Sequence, residues 1–138
     1  MADYNCWIRT NYFGVNDENA LRELINRCSA NGEMKLYSEM HDGKKKFCFT
    51  CNGTIYGLTQ EEESEEDFDT FVAALQGLLP VGEAILLQEV GYEKFRYLVG
   101  SVLIITHDST RYIDMKSIAM AEAKKILNDP TFTTEMDY

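Results

Sequence analysis

The sequence predicts an α+β fold, with one mainly antiparallel sheet and helices packed on one of its faces. Three observations carry this. Residues 84–115 read as three consecutive antiparallel strands: isoleucine, leucine, valine and tyrosine fill 84–90 and 97–106, and both runs stop at turn formers. Two stretches, 17–28 and 68–79, repeat apolar residues at helical spacing. Asp42-Gly43, the strongest hairpin signal in the chain, sits between an alternating run and a return strand.

In chain order, residues 6–15 have the β-branched and aromatic content of a first strand. Asn16-Asp17 offers an N-cap, and Leu21, Leu24, Ile25 and Cys28 form one stripe of the helix behind it. Asn31-Gly32 suits a left-handed end to that helix. Residues 34–40 alternate, Met34 and Leu36 facing one way and Lys35, Tyr37 and Glu39 the other. After the Asp42-Gly43 turn, 47–51 returns, and 54–58 makes a short third strand. Ser64 followed by Asp67 resembles a capping pair ahead of a second helix, whose stripe is Phe68, Phe71, Val72, Leu75 and Leu78 or Leu79. That helix stops near Pro80 and Gly82.

In the meander, the nearly continuous run 98–105 predicts a central strand with apolar neighbours on both sides over part of its length. Gly100 within it marks a bulge or a closely packed helix. His107-Asp108-Ser109 turns the chain into an edge strand at 112–115. A third helix over 116–127 presents Ala119, Ala123, Ile126 and Leu127, and Asn128-Asp129-Pro130 ends it. The polar tail 131–138 frays unless Phe132 docks. The order β-α-β-β-(β)-α-β-β-β-α suggests a ferredoxin-like core with added carboxy-terminal elements, forming a single domain over 1–138.

Composition narrows the function classes. A chain of 138 residues is long enough for one core, and no apolar run reaches the ~20 residues of a membrane-crossing helix. The amino terminus lacks a basic region followed by an apolar core, so the expectation is a soluble, cytoplasmic protein with its four cysteines reduced. A net charge of −10 argues against direct binding to nucleic-acid phosphates and for engagement of a basic surface.

Catalytic signals are sparse. Cys48-Phe49-Thr50-Cys51 has redox spacing, but in a strand its two thiols face opposite ways, and no second ligand pair is spaced for zinc. His41 and His107 each sit beside an aspartate near a turn, where such neighbours are simply exposed. No nucleophile–base series, phosphate loop or metal triad assembles, so no enzyme, cofactor or metal is expected. Lys44-Lys45-Lys46 fits a solubilising tip and an edge guard.

The most unusual composition is 61–69, with seven carboxylates and no base: Glu61, Glu62, Glu63, Glu65, Glu66, Asp67 and Asp69. One reading is a solvated loop leading into a capped helix. The sharper one is an anionic surface whose carboxylates stand in for phosphates in a basic groove, as in a DNA mimic.

Two segments add a resemblance. Arg9-Thr10-Asn11-Tyr12-Phe13-Gly14-Val15 with Asp17, and Glu89-Val90-Gly91-Tyr92-Glu93-Lys94-Phe95-Arg96-Tyr97-Leu98-Val99-Gly100, are similar to the opening and a later segment of a family of small acidic proteins. These are products of phages and mobile elements in Firmicutes and gut bacteria, a neighbourhood rich in anti-defence proteins. The resemblance implies an origin and a class of role, and transfers no functional residue. The leading expectation is therefore a non-enzymatic acidic protein, a monomer or homodimer. It would occupy a host protein with a basic surface, such as a defence nuclease, as an anti-CRISPR or antirestriction inhibitor does. The alternative is a small structural or regulatory module that self-associates through a sheet face or edge.

Overall fold

The computed structural model describes residues 4–59, 66–94 and 96–137. The fold is α+β, and the main sheet is antiparallel throughout. Strand β1 (Asn5–Arg9) leads into α1 (Glu18–Arg27), and β2 (Ser29–Ala30) follows. The hairpin β3 (Met34–His41) and β4 (Lys44–Cys51) precedes β5 (Ile55–Thr59), β6 (Glu66–Asp67) and α2 (Phe68–Leu78). The chain closes with β7 (Ile85–Glu93), β8 (Tyr97–Ile105), β9 (Thr110–Asp114) and α3 (Met115–Leu127).

The large sheet runs β3-β4-β1-β7-β8-β9, and a small ladder runs β2-β5-β6. Within the large sheet, β3-β4-β1-β7 with α1 and α2 has the strand order of a ferredoxin-like core. Strands β8 and β9 extend it on the β7 side, and β3 and β9 are its edges. The turn between β3 and β4 has positive φ at both Asp42 (51°) and Gly43 (77°), as a two-residue hairpin turn needs.

One face of the sheet carries the core. Ile8, Phe47, Phe49, Ile85 and Leu87 meet Leu21, Leu24 and Ile25 of α1 and Phe71, Val72 and Leu75 of α2 in one buried cluster. At its centre Phe49 makes edge-on contacts with Phe13 at 6.2 Å and Phe71 at 6.0 Å between ring centroids. Beyond Arg9 the chain leaves regular pairing, and its polar groups stay satisfied locally. The Thr10 N–H donates to the Phe49 carbonyl (3.1 Å) and the Phe49 N–H to Thr10 Oγ1 (3.1 Å). The Asn11 side chain substitutes for backbone against β7, accepting from the Leu86 N–H at 2.7 Å and donating to the Ala84 carbonyl at 3.0 Å.

Several expectations change. The first strand ends at Arg9 rather than Val15, because the bulge at 10–12 interrupts it before Phe13 bridges back to Phe47. Helix α1 is capped by Asp17 as expected, but it ends at Arg27. Cys28 is extended there, so Asn31-Gly32 caps nothing and the chain passes directly into β2. The cap of α2 is Asp67, which accepts from the Asp69 N–H (2.9 Å) and the Thr70 hydroxyl (3.0 Å). Ser64 lies outside the described residues.

The run 98–105 is flanked by β7 and β9, yet only Ile105 is fully buried, because much of the sheet beyond the helices lacks a cover. Gly100 does mark a close helix: a Cβ there would sit 3.4 Å from Met115 at the start of α3. The apolar side expected for α3 is not buried. Ile126 and Leu127 are exposed and Ala119 faces solvent, while Lys116, Met120, Ala123 and Lys124 make the half-buried side. The tail returns towards that side, with Asp137 paired to Lys116 and Phe132 half-buried.

One polar contact ties this fold to pH. Glu83 Oε1 accepts from Lys46 Nζ at 2.9 Å and from the Gly14 N–H, and these partners, Lys46 foremost, hold its carboxyl below its ordinary range. A carboxyl depressed on folding stabilises fully above its unfolded pKa of about 4.3, and that stability is lost as pH falls through the lower folded value. Glu83→Gln is expected to lower stability by about 1–2 kcal/mol near pH 7. The difference from wild type should shrink in urea titrations carried below pH 4.

Candidate functional site

The acidic stretch is only partly placed. Glu61, Glu62, Glu63 and Glu65 lie outside the described residues. Glu66 belongs to β6, paired with Thr59, and Asp67 is committed to capping α2. Asp69 is exposed in the first turn of α2, where a carboxylate complements the helix dipole.

The thiols and histidines are also accounted for. Cys48 donates to the Thr10 carbonyl at 3.2 Å and is buried, whereas Cys51 joins the core cluster with Cys6. All four cysteines are free. Burial pushes the Cys6 and Cys51 thiols up and the Cys28 thiol up to about 11, so these three are held protonated rather than as nucleophilic thiolates. The His41 ring lies 5.2 Å from that of Tyr12, with its Nε2 3.5 Å from Glu39 Oε1. His107 Nε2 lies 3.7 Å from Asp108 Oδ2 on the exposed β8–β9 turn. Among the described residues no cluster of three or more His, Cys, Asp or Glu side chains is arranged to hold a metal ion.

The surface that stands out is the sheet face opposite the core. Alternation sends Cys6 and Ile8 inward and Asn5, Trp7 and Arg9 outward along β1. Trp7 pairs with Val90, which pairs with Gly100, and Asn5 pairs with Tyr92, which pairs with Leu98. These neighbours form an apolar band. Trp7 is 70% exposed, Val90 64%, Leu98 60% and Tyr92 49%. Met115 over Gly100 extends the band to Ile118 on α3, and both are exposed.

On the other side of Trp7 the face becomes polar. Arg9 pairs with Thr50, and Thr50 with Lys35, so one row across three strands reads cation, hydroxyl, cation. Tyr37 stands two residues beyond Lys35 on the same side of β3, and Trp7 stands two residues before Arg9 on β1. With Glu33 and Asn52, whose Oδ1 accepts from the Glu33 N–H at 2.8 Å, these residues border a cavity of about 410 Å³. Neither Arg9 nor Lys35 has an ion-pair partner among the described residues.

Composition alone did not single out these residues. The usable signal was local: a tryptophan and an arginine on the outward side of a strand whose other side is Cys6 and Ile8, and a lysine and tyrosine on the matching side of β3. Among the described residues no helix is long and apolar enough to cross a membrane. Compared with protein-family models, with curated proteins and with solved structures, the chain matches none.

Proposed function

We propose that this chain is a non-enzymatic binding protein that acts by occupying another protein, with the apolar band of the open sheet face as its contact surface. The carrying observation is the contiguous group of exposed Trp7, Val90, Tyr92 and Leu98 on neighbouring strands of one sheet face, since large apolar surface left open on a folded domain marks a contact site. Tryptophan and tyrosine are also the side chains that dominate binding energy at such contacts. The buried, protonated thiols support binding over thiol chemistry.

The net charge of −10 sets the sign of the partner, a protein with a basic surface that the acidic chain reaches by electrostatic steering. Because two segments are similar to mobile-element proteins, we take a host nuclease of the nucleic-acid-guided or restriction type as the first such partner to test. Glu61, Glu62, Glu63, Glu65, Glu66 and Asp69 supply the charge in this reading. Asp67 contributes through its cap.

The test is capture of purified nucleases on immobilised protein without nucleic acid. Val90→Asp is expected to weaken capture roughly 30-fold, the loss of about 2 kcal/mol that a central contact carries. Replacing Glu61, Glu62 and Glu63 by glutamine should weaken it further and flatten its salt dependence. Affinity indifferent to both changes rejects the reading.

A second reading has its own observation. The exposed band is apolar, and it lies on a sheet with two open edges, β3 and β9, which suits a second copy of the chain. Light scattering behind size exclusion separates the two: a concentration-dependent dimer abolished by Val90→Asp supports self-association, and a monomer at all concentrations excludes it.

A further inference from the structure

The polar end of the open face has a chemistry that protein docking on the apolar band does not use. The row Arg9–Thr50–Lys35 presents two cations and a hydroxyl to one side of the sheet, with neighbouring strands about 4.8 Å apart. An anionic group with several acceptor oxygens fits across that row, because each cation and the Thr50 hydroxyl then has an oxygen to donate to. Trp7 and Tyr37 stand at opposite corners of the row, and both are exposed. The exposed indole face of Trp7 is a stacking surface for a flat ring, and Tyr37 bounds the far end of the cavity. Glu33 adds an acceptor, and the Asn52 amide, whose oxygen is taken by the Glu33 N–H, keeps its NH2 as a donor. Such a donor–acceptor edge reads the rim of a heterocycle.

We propose that the cavity between Trp7, Arg9, Lys35 and Tyr37 binds a nucleoside monophosphate. Its phosphate lies on the Arg9–Thr50–Lys35 row, and its base stacks on Trp7 with its edge towards Glu33 and Asn52. The volume of about 410 Å³ lies within the range of small-ligand sites. The net charge of −10 selects the monomer over a strand: one phosphate gains from two local cations, whereas each further phosphate of a polymer meets the field of an acidic protein. This inference shares only Trp7 with the protein contact proposed above, and its test uses no partner.

Trp7 is the only tryptophan, so its fluorescence reports on this site directly. The protein is titrated with adenosine and guanosine monophosphates, with the corresponding nucleosides, and with a single-stranded oligothymidylate. Calorimetry on Trp7→Phe gives a second readout, and far-UV circular dichroism checks that each variant folds. The expected result is saturable quenching by at least one monophosphate below about 1 mM, with its nucleoside at least tenfold weaker. Arg9→Gln and Lys35→Gln should each weaken binding roughly tenfold, as the loss of a charge-assisted hydrogen bond does. Trp7→Ala, read by calorimetry, should weaken it by a similar factor. The proposal is overturned by absence of saturation with every monophosphate, by affinity unchanged in the Arg9→Gln, Lys35→Gln pair, by nucleosides binding as well as monophosphates, or by binding confined to the oligonucleotide.

Discussion

Phe49→Ala is expected to destabilise the protein by about 3–5 kcal/mol, the cost of removing a buried phenyl ring and leaving a cavity. The ring is fully buried on β4 and touches Phe13 and Phe71 edge-on, so it joins the bulge after β1, the middle of the sheet and α2. Each aromatic contact adds about 0.5–1.5 kcal/mol beyond area burial, which places the change towards the top of that range. Domains are stable by only about 5–15 kcal/mol, so a large share of the margin goes with this one side chain. Equilibrium urea unfolding measures it. Phe49→Leu, which keeps most of the volume, should lose clearly less. A cost below about 1 kcal/mol for the alanine variant would mean that the three rings do not form the centre of the core.

Gly57→Ala is expected to be nearly as damaging, for a different reason. Gly57 lies in β5 with φ +116°, a conformation that side-chain-bearing residues rarely adopt. A Cβ at this position would lie 2.2 Å from the Asp67 carbonyl oxygen and 2.6 Å from the Phe68 nitrogen, backbone atoms at the start of α2. Accommodating one methyl group therefore requires β5 to move off the residue that caps the helix. Backbone strain of this kind costs about 1–3 kcal/mol, and partial loss of the cap about 1 more. The variant should melt roughly 4–16 °C below wild type, since each kcal/mol moves the midpoint of a domain near this size by about 2–4 °C. An unchanged midpoint would show that β5 and α2 separate freely.

The sequence carried the elements better than it carried what covers them. The meander 84–115, helix α1 and the Asp42-Gly43 turn are local in origin, set by composition, spacing and turn chemistry, and the structure has all three. Burial is not local. Leu98 and Val102 read as interior because they are apolar, yet Leu98 is exposed and Val102 half-covered, since helices α1 and α2 lie against the other side of the sheet. Ile126 and Leu127 on α3 were misread in the same way. The capping pair read as Ser64 with Asp67 put the start of α2 a turn early: the cap is Asp67 itself, extended in β6 where it pairs with β5.

The candidate site depended on long-range register. Trp7 with Arg9, and Lys35 with Tyr37, are legible as outward pairs on their own strands. Only the insertion of β4 between β1 and β3 aligns Arg9, Thr50 and Lys35 in one row. No spacing within the chain announces a pairing between residues so far apart in sequence. The acidic stretch shows the reverse: it dominates the composition, while in the fold Asp67 serves as a helix cap.

The uneven cover of the sheet has a consequence for how the molecule comes apart. Helix α3 buries no residue fully, and in β8 and β9 only Ile105 is enclosed, whereas the four strands β3, β4, β1 and β7 share the aromatic centre with α1 and α2. The carboxy-terminal third is thus expected to exchange its amide hydrogens before the inner four strands do, with Phe49 still packed. The apolar band straddles that boundary, with Trp7 and Val90 on the part that stays closed and Leu98 and Ile118 on the part that opens. Whatever binds across the band therefore also acts as a clasp, converting two stages of unfolding into one.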